Sequence, residues 1–346
     1  MSFSKVLKKA IACFLCAAMG MVMLTGCGKD KKSNVVRVSE VTHSLFYAPL
    51  YVAINNGYFE DEGIEIELTN AGGSDTVTTA LTSKSADIGL LGPESMVYVR
   101  NQGMKNAPVI FAQLTACDGS FLVGRPGEND TSVEFDYASL SGKHIIAGRR
   151  GGMPAMTLQY ILNQKGLTTG DEFGEGIDVK LDLSVAFNLT VSTFVANTGD
   201  YCTMIEPSAS QCEIDGTGVI VSALGDEVKD IPYTVFTATS SFLNKNPEKI
   251  EKFMRALKKG YDYLMIATDE QLVTALKPSF NTTSDELIVS AVRNYIRIGA
   301  YADDFVLSES AWTTMQDIME NAGELDTRVS HADAVNTEFA NAVKED

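Results

Sequence analysis

The chain has 346 residues, 45% hydrophobic and 21% charged, with 28 Gly, 9 Pro and one Trp. That length suits two domains of ~150 residues each, and the composition excludes disordered, collagenous and disulfide-scaffold classes. Lys and Arg number 28 against 45 Asp and Glu, a net charge of -17, and no basic stripe gathers the cations, which argues against nucleic acid as a partner.

Lys5, Lys8 and Lys9 precede a mostly apolar stretch from Ala10 to Leu24, the basic-then-apolar order of a signal peptide over residues 1–26. The stretch falls short of the ~20 apolar residues a spanning helix needs, and no second candidate span follows residue 27. Leu24-Thr25-Gly26-Cys27 resembles the lipobox of bacterial lipoproteins. That resemblance implies cleavage before Cys27, a diacylglycerol on its thiol and an extracytoplasmic protein anchored to the cell membrane. Residues 27–34 then form a polar tether. Cys13 and Cys16 lie in the leader, so their C-x-x-C spacing is no redox motif. Cys117, Cys202 and Cys212 are too scattered for a zinc site and are expected as buried free thiols. His43, His144 and His331 are equally dispersed. With no zincin helix, P-loop, G-x-S-x-G or EF-hand spacing either, neither a metal, a cofactor nor an enzyme is expected.

In the mature part, Val35 to Val41 reads as a strand, and Pro49 to Asn56 as a helix with Pro in its first turn and Gly57 as its stop. Ile64 to Leu68 alternates with period two, a strand leading through Gly72-Gly73 to a helix capped by Ser74 and running to about Ser83. Ile88 to Leu91 is a strand, Pro93 opens a helix to about Asn101, and Pro108 to Leu114 is a further strand. This alternation predicts a parallel sheet. A second set follows: strands at His144 to Ala147, Val179 to Leu183, Tyr201 to Ile205 and Val219 to Val221, with helices at Pro154 to Lys165, stopped by Gly166, and Phe187 to Val195. The last third is helical. Asn246 caps a helix begun by Pro247, and helices cover about Ser284 to Ile298 and Ser308 to Asn321. The organisation is therefore one lobe from residues 35–124 plus 229–346, a second from 125–228, and a hinge where the chain crosses near Val123 and Ile231.

In open α/β sheets, ligands bind beyond the carboxyl ends of the strands, where helix N-termini present unpaired N–H groups. The loops there contain His43, Phe46 and Tyr47; Ser74, Asp75 and Thr76; Gly92, Pro93 and Glu94; Thr115 and Asp118; and Arg149, Gly151, Gly152 and Met153. Phe187 and Glu206 complete the candidate ligand contacts. Phe46 and Tyr47 suit a core as readily as a ligand shelf, and Glu206 before Pro207 equally suits charge satisfaction at a helix N-terminus.

Three segments, Ser44 to Ala53, Gly57 to Ile64 and Ala86 to Gly89, resemble the opening of the solute-binding proteins of nitrate, sulfonate and taurine ABC importers and their thiamine-pyrimidine-binding relatives. The likeness continues through Asn101-Gln102-Gly103, Gly148 to Met156, Thr198 to Tyr201 and Glu206-Pro207, covering nearly all of residues 35–340. It implies the type II periplasmic-binding-protein fold, an α/β architecture of two lobes enclosing a ligand, and a monomer that serves an ABC permease and its ATPase. Two ligand sets are present. Ser74, Thr76 and Arg149 suit a sulfonate, taurine, nitrate or bicarbonate anion. Phe46, Tyr47, Phe187, Asp118 and Glu206 suit an aminopyrimidine. The recurring carboxylates Asp75, Glu94, Asp118 and Glu206 favour the heterocycle, because each would repel a bound anion. A thiamine pyrimidine synthase-like enzyme is the contrasting class, and a receptor subunit for a sensor kinase is a third.

Overall fold

The computed structural model describes residues 34–127, 133–186 and 189–344. The leader, Cys27 with residues 28–33 of its tether, and Phe187 lie outside the described residues.

Two sheets organise the chain. In the first the order is β2 (Glu65–Asn70), β1 (Val35–Glu40), β3 (Ile88–Leu91), β11 (Thr234–Ala238) and β4 (Val109–Thr115). The second runs β10 (Val219–Ala223), β5 (Ser120–Gly124), β9 (Tyr201–Ile205), β6 (His144–Ile146), β8 (Val179–Asp182) and β7 (Thr169–Gly170). The expected parallel pairing holds for β1 with β3 and for β6 with β8 and β9. It fails where the chain returns between sheets: β11 runs antiparallel to both β3 and β4, and β5 antiparallel to both β9 and β10. A strand that re-enters a sheet without a covering helix needs no right-handed crossover, so antiparallel pairing is open to it.

Val123 lies inside β5 and hence in the second sheet. The first crossing therefore falls earlier than expected, at 116–119, and the second at 224–233, which contains Ile231. Cys117 Sγ against the Ile298 carbonyl at 3.8 Å and the Arg297–Asp226 ion pair at 3.0 Å tie these segments to the C-terminal helices.

The helices that shape the site are α1 (Ala48–Asn55), α2 (Ser74–Thr82), α3 (Glu94–Asn101), α4 (Met153–Gln164), α5 (Ser208–Ile214), α6 (Pro247–Ile266), α7 (Asp285–Arg297) and α8 (Glu309–Asn321). Gly73, with extended φ of 175°, is the N-cap of α2, and Ser74 is its first helical residue, one position later than its expected role as cap. Asn246 precedes Pro247 as expected, but its side-chain amide donates back to the Phe242 carbonyl instead of capping α6. In α7 the Ser284 hydroxyl accepts from the Leu287 amide, Asp285 and Glu286 occupy the first turn and Arg297 the last, so charge follows the helix dipole at both ends.

Helix α6 buries Ile250, Phe253, Met254, Leu257 and Leu264, which recur at the three- and four-residue spacing of one helix face. It crosses α1 so closely that a β-carbon on Gly260 would stand 2.3 Å from the Pro49 carbonyl oxygen. Cys117, Cys202 and Cys212 are buried free thiols. Among the described residues no helix is long and apolar enough to cross a membrane, and no His/Cys/Asp/Glu group could hold a metal ion.

Candidate functional site

At the end of β3 the chain turns through Gly92-Pro93 into α3, whose first residue, Glu94, is buried with 5% exposure. Its carboxylate folds back over the turn. A β-carbon on Gly92 would lie 2.2 Å from Glu94 Oε2, so any larger residue there would make the Glu94 carboxylate move from this position. Oε2 has no hydrogen-bond partner. Burial pushes the Glu94 carboxyl up to about 7; Arg149 draws it down and Asp75 adds to the rise.

A second carboxylate lies in the first crossing segment. Asp118 is fully buried; its Oδ1 accepts from the Ser120 amide at 2.7 Å, and its Oδ2 has no partner. Burial pushes this group up to about 6, opposed by Ser120, Thr157 and Tyr233. Thr157, from the second lobe's α4, stands near enough to favour the charge, yet no hydrogen bond closes and its Oγ1 is also buried and unpartnered. The Tyr233 hydroxyl, 3.4 Å from Ser120 Oγ, feels both Asp118 and Glu94, which join burial in raising it far above its ordinary value. Tyr233 thus links the two carboxylates.

Aromatic rings wall this polar group. Phe46 meets Tyr233 edge-on at 5.6 Å between centroids and lies 6.0 Å from Tyr47 and 4.8 Å from Tyr295. The crossing backbone packs on the same ring, since a β-carbon on Gly119 would fall 2.6 Å from Phe46. Tyr47 is buried and faces Thr234, with Glu40 and Glu94 adding to the rise that burial imposes on its hydroxyl. Thr115 stands opposite Thr234 in the β4–β11 ladder; Thr115 Oγ1 and Gln113 Oε1 are buried and unpartnered as well.

The structure therefore brings together Phe46, Tyr47, Glu94, Thr115 and Asp118 of the expected contacts, with Gly92 and Pro93 forming the turn beneath Glu94. Ser74 is buried at the start of α2, while Asp75, Thr76 and Arg149 are exposed at the rim. Gly151 and Gly152 form the turn before α4, the Tyr98 hydroxyl donates to the Gly151 carbonyl at 3.1 Å, and Met153 is buried.

Two expected contacts are committed elsewhere. His43 bonds Glu40 through Nδ1 at 2.9 Å and the Ser279 carbonyl through Nε2 at 2.9 Å, and stacks on Phe280 at 4.6 Å. The hydrogen bond to Glu40 chiefly raises its pKa. Glu206 is buried, but Oε1 accepts from the Ser210 hydroxyl and the Asn294 amide, both at 2.7 Å, and Oε2 from the Ser210 N–H at 3.0 Å. The helix N-terminus explains it, as the sequence allowed: Ser210 lies in the first turn of α5, and Asn294 on α7 joins the other lobe to it.

Thr157 and Tyr233 went unremarked in the sequence. Thr157 had a signal, a polar residue one turn after Met153 on an otherwise apolar buried face of α4. Tyr233 had none, being a lone aromatic in a loop.

Buried polar atoms are ordinarily paired. Glu94 Oε2, Asp118 Oδ2 and Thr157 Oγ1 all break that rule, and the wall of Phe46 and Tyr233 packs against the segment that carries Asp118. Two of these atoms are acceptors, and Glu94 follows the carboxyl end of β3, the end of a strand at which α/β folds bind ligands.

Comparison with known proteins agrees with the residue pattern. The profile of the NMT1/THI5-like family matches residues 46–271. YtlA of Bacillus subtilis (strain 168) is 36% identical over 323 residues, which cover 93% of this chain and 94% of YtlA. The 4-amino-5-hydroxymethyl-2-methylpyrimidine phosphate synthase of Aspergillus parasiticus is 28% identical over 233 residues, 64% of this chain and 63% of that enzyme. Among solved structures, the periplasmic nitrate-binding protein NrtA from Synechocystis PCC 6803 has a TM-score of 0.68 at 17% identity, covering 91% of this chain and 86% of its own. The alkanesulfonate-binding protein SsuA from Xanthomonas axonopodis pv. citri, bound to MOPS, has a TM-score of 0.66 at 16% identity, covering 88% and 98%. At such identities the structural likeness establishes the fold, two α/β lobes of the periplasmic-binding-protein type. Together with the profile and YtlA, it makes this chain a member of the NMT1/THI5-like family.

Proposed function

We propose that this chain is the extracytoplasmic solute-binding lipoprotein of an ABC importer. Its lobes, residues 35–115 plus 234–344 and residues 120–223, close around one small organic solute about the segments at 116–119 and 224–233, and the closed form delivers the solute to the permease. YtlA, which aligns over 94% of its length, bears the name of a binding protein, which supports a receptor over a synthase. The favoured solute is a thiamine-type pyrimidine or another amine-bearing heterocycle. One observation carries this: Glu94 Oε2 and Asp118 Oδ2 are buried acceptors without donors, and the Phe46 and Tyr233 rings pack against the segment that carries Asp118. An exocyclic amine supplies the donors and a flat ring fills the aromatic wall. A sulfonate or nitrate would meet two buried carboxylates instead.

Calorimetry of the purified protein with 4-amino-5-hydroxymethyl-2-methylpyrimidine, taurine and nitrate, with mass analysis of any copurifying molecule, tests the ordering. Tight binding of either anion overturns the heterocycle preference. A scattering radius and melting temperature unmoved by all three, with nothing copurifying, overturn the receptor. The lipid anchor on Cys27 has its own check: Cys27→Ser is expected to move the protein from the membrane fraction to the soluble one.

A further inference from the structure

We infer that the cleft selects a solute carrying positive charge on a flat, N–H-bearing group of the amidinium type, in preference to a neutral heterocycle of the same shape. This rests on the receptor reading above and goes further by assigning the charge of the solute.

The argument is one of charge balance. Glu94 and Asp118 are both more than nine-tenths buried and each keeps one oxygen without a partner. The β3–β11 ladder pairs Leu91 with Val235, which sets the Gly92–Glu94 turn beside Tyr233, and the ring of Phe46 packs on both Tyr233 and the Gly119 backbone next to Asp118. The cation acting on Glu94 is Arg149, and the one acting on Cys117, next to Asp118, is Lys229. Both are exposed, and Lys229 already pairs with Asp226 at 3.0 Å. Asp75 acts on Glu94 with the same sign of charge, and Glu40 joins Glu94 in acting on Tyr47. Among the described residues the buried site therefore holds two carboxylates, and no Lys, Arg or His is buried beside them.

A neutral amine gives the free oxygens donors but no charge, so with it bound the carboxyls still tend toward the protonated form that burial favours, whereas a cation stabilises their ionised form. An amidinium provides both donors and charge in one plane, and carboxylates recognise such planar forks through paired N–H···O bonds. The Thr157 hydroxyl, buried on the second lobe, faces Asp118 and favours its charged form, so the second lobe contributes to the same site. The rings of Phe46 and Tyr233 are of the kind that attracts a delocalised cation.

Benzamidinium, benzamide and benzoate share one shape and differ in charge, so they isolate the claim. Calorimetry of the full chain at neutral pH is expected to give benzamidinium at least about tenfold tighter binding than benzamide, the factor expected of a hydrogen bond made to a charged group. Benzoate is expected to bind most weakly of the three. Glu94→Gln and Asp118→Asn, each first shown by thermal melting to be folded, are expected to shrink the benzamidinium preference by about tenfold. Equal binding of benzamide, tighter binding of benzoate, or a preference unchanged in both variants overturns the charge assignment and leaves the receptor reading intact. Absence of binding by all three also overturns it, while the receptor reading is then decided separately by the copurifying molecule and the scattering radius.

Discussion

The Tyr98 hydroxyl reaches from α3 to the Gly151 carbonyl at 3.1 Å, so the helix that starts at the buried Glu94 is bonded directly to the glycine turn ahead of α4. A second link of this kind joins Asn163 Nδ2 on α4 to Asn321 Oδ1 on α8 at 3.0 Å. Neither involves a crossing segment, so both must break for the lobes to part.

Tyr98→Phe removes one of these links without emptying the space its ring fills. The closed arrangement is expected to lose about 0.5–1.5 kcal/mol, the net worth of one hydrogen bond. That corresponds to weaker solute affinity by a factor of about 2 to 12, expressed mainly as faster release. Stopped-flow measurement with whichever solute copurifies checks it, and a release rate equal to that of the parent would show that the bond does not hold the lobes together.

The two carboxylates predict an unusual acid stability. In the unfolded chain Glu94 and Asp118 titrate near 4.5 and 3.8, whereas burial lifts them in the folded protein to about 7 and about 6. Both are raised on folding, so their contribution to stability is complete below the unfolded values and is lost as pH climbs through the folded ones. For Glu94 alone the loss amounts to about 3 kcal/mol. Urea unfolding of solute-free protein across about pH 4.5 to 8 should show this decline, and Glu94→Gln should be flatter by that amount. Identical slopes in the two proteins would mean that Glu94 is hydrated in solution.

Gly260 supplies a prediction about the frame. Alanine is the better helix former by about 1 kcal/mol, yet its β-carbon would lie 2.3 Å from the Pro49 carbonyl oxygen and 2.9 Å from Ala53 Cβ. Overpacking of this kind costs about 1–3 kcal/mol, and the obstacle is backbone, which cannot rotate aside. Gly260→Ala is therefore expected to lower the melting temperature. A rise would indicate that α6 and α1 separate more easily than their packing implies.

Much of the secondary structure was legible. Ile88–Leu91 and Tyr201–Ile205 occupy their expected positions, and Pro247 begins α6. Gly166, at φ 83°, follows the last turn of α4 as the sequence anticipated. These features depend on neighbours within one or two turns of chain, the range over which apolar period, proline and glycine act. Strands β5 and β11 were not assigned, because all five residues of each are buried and a fully buried run has no alternation to read.

The site divides along the same line. The residue types on the loops, with carboxylates and aromatics at strand ends, were fixed by local sequence and could be named from it. Local turns pair part of each carboxylate, Ser210 with Glu206 and Ser120 with Asp118, and tertiary contact decides the remainder. Glu206 and Asp118 both look like free carboxylates in the chain, but Asn294 and Ser210 close on the first, while Thr157 and Tyr233 face the second and leave one oxygen open. A hydrogen bond requires two groups at one distance and angle. For partners far apart along the chain, such as Asn294 and Glu206, only the packing of helices on sheets sets that geometry.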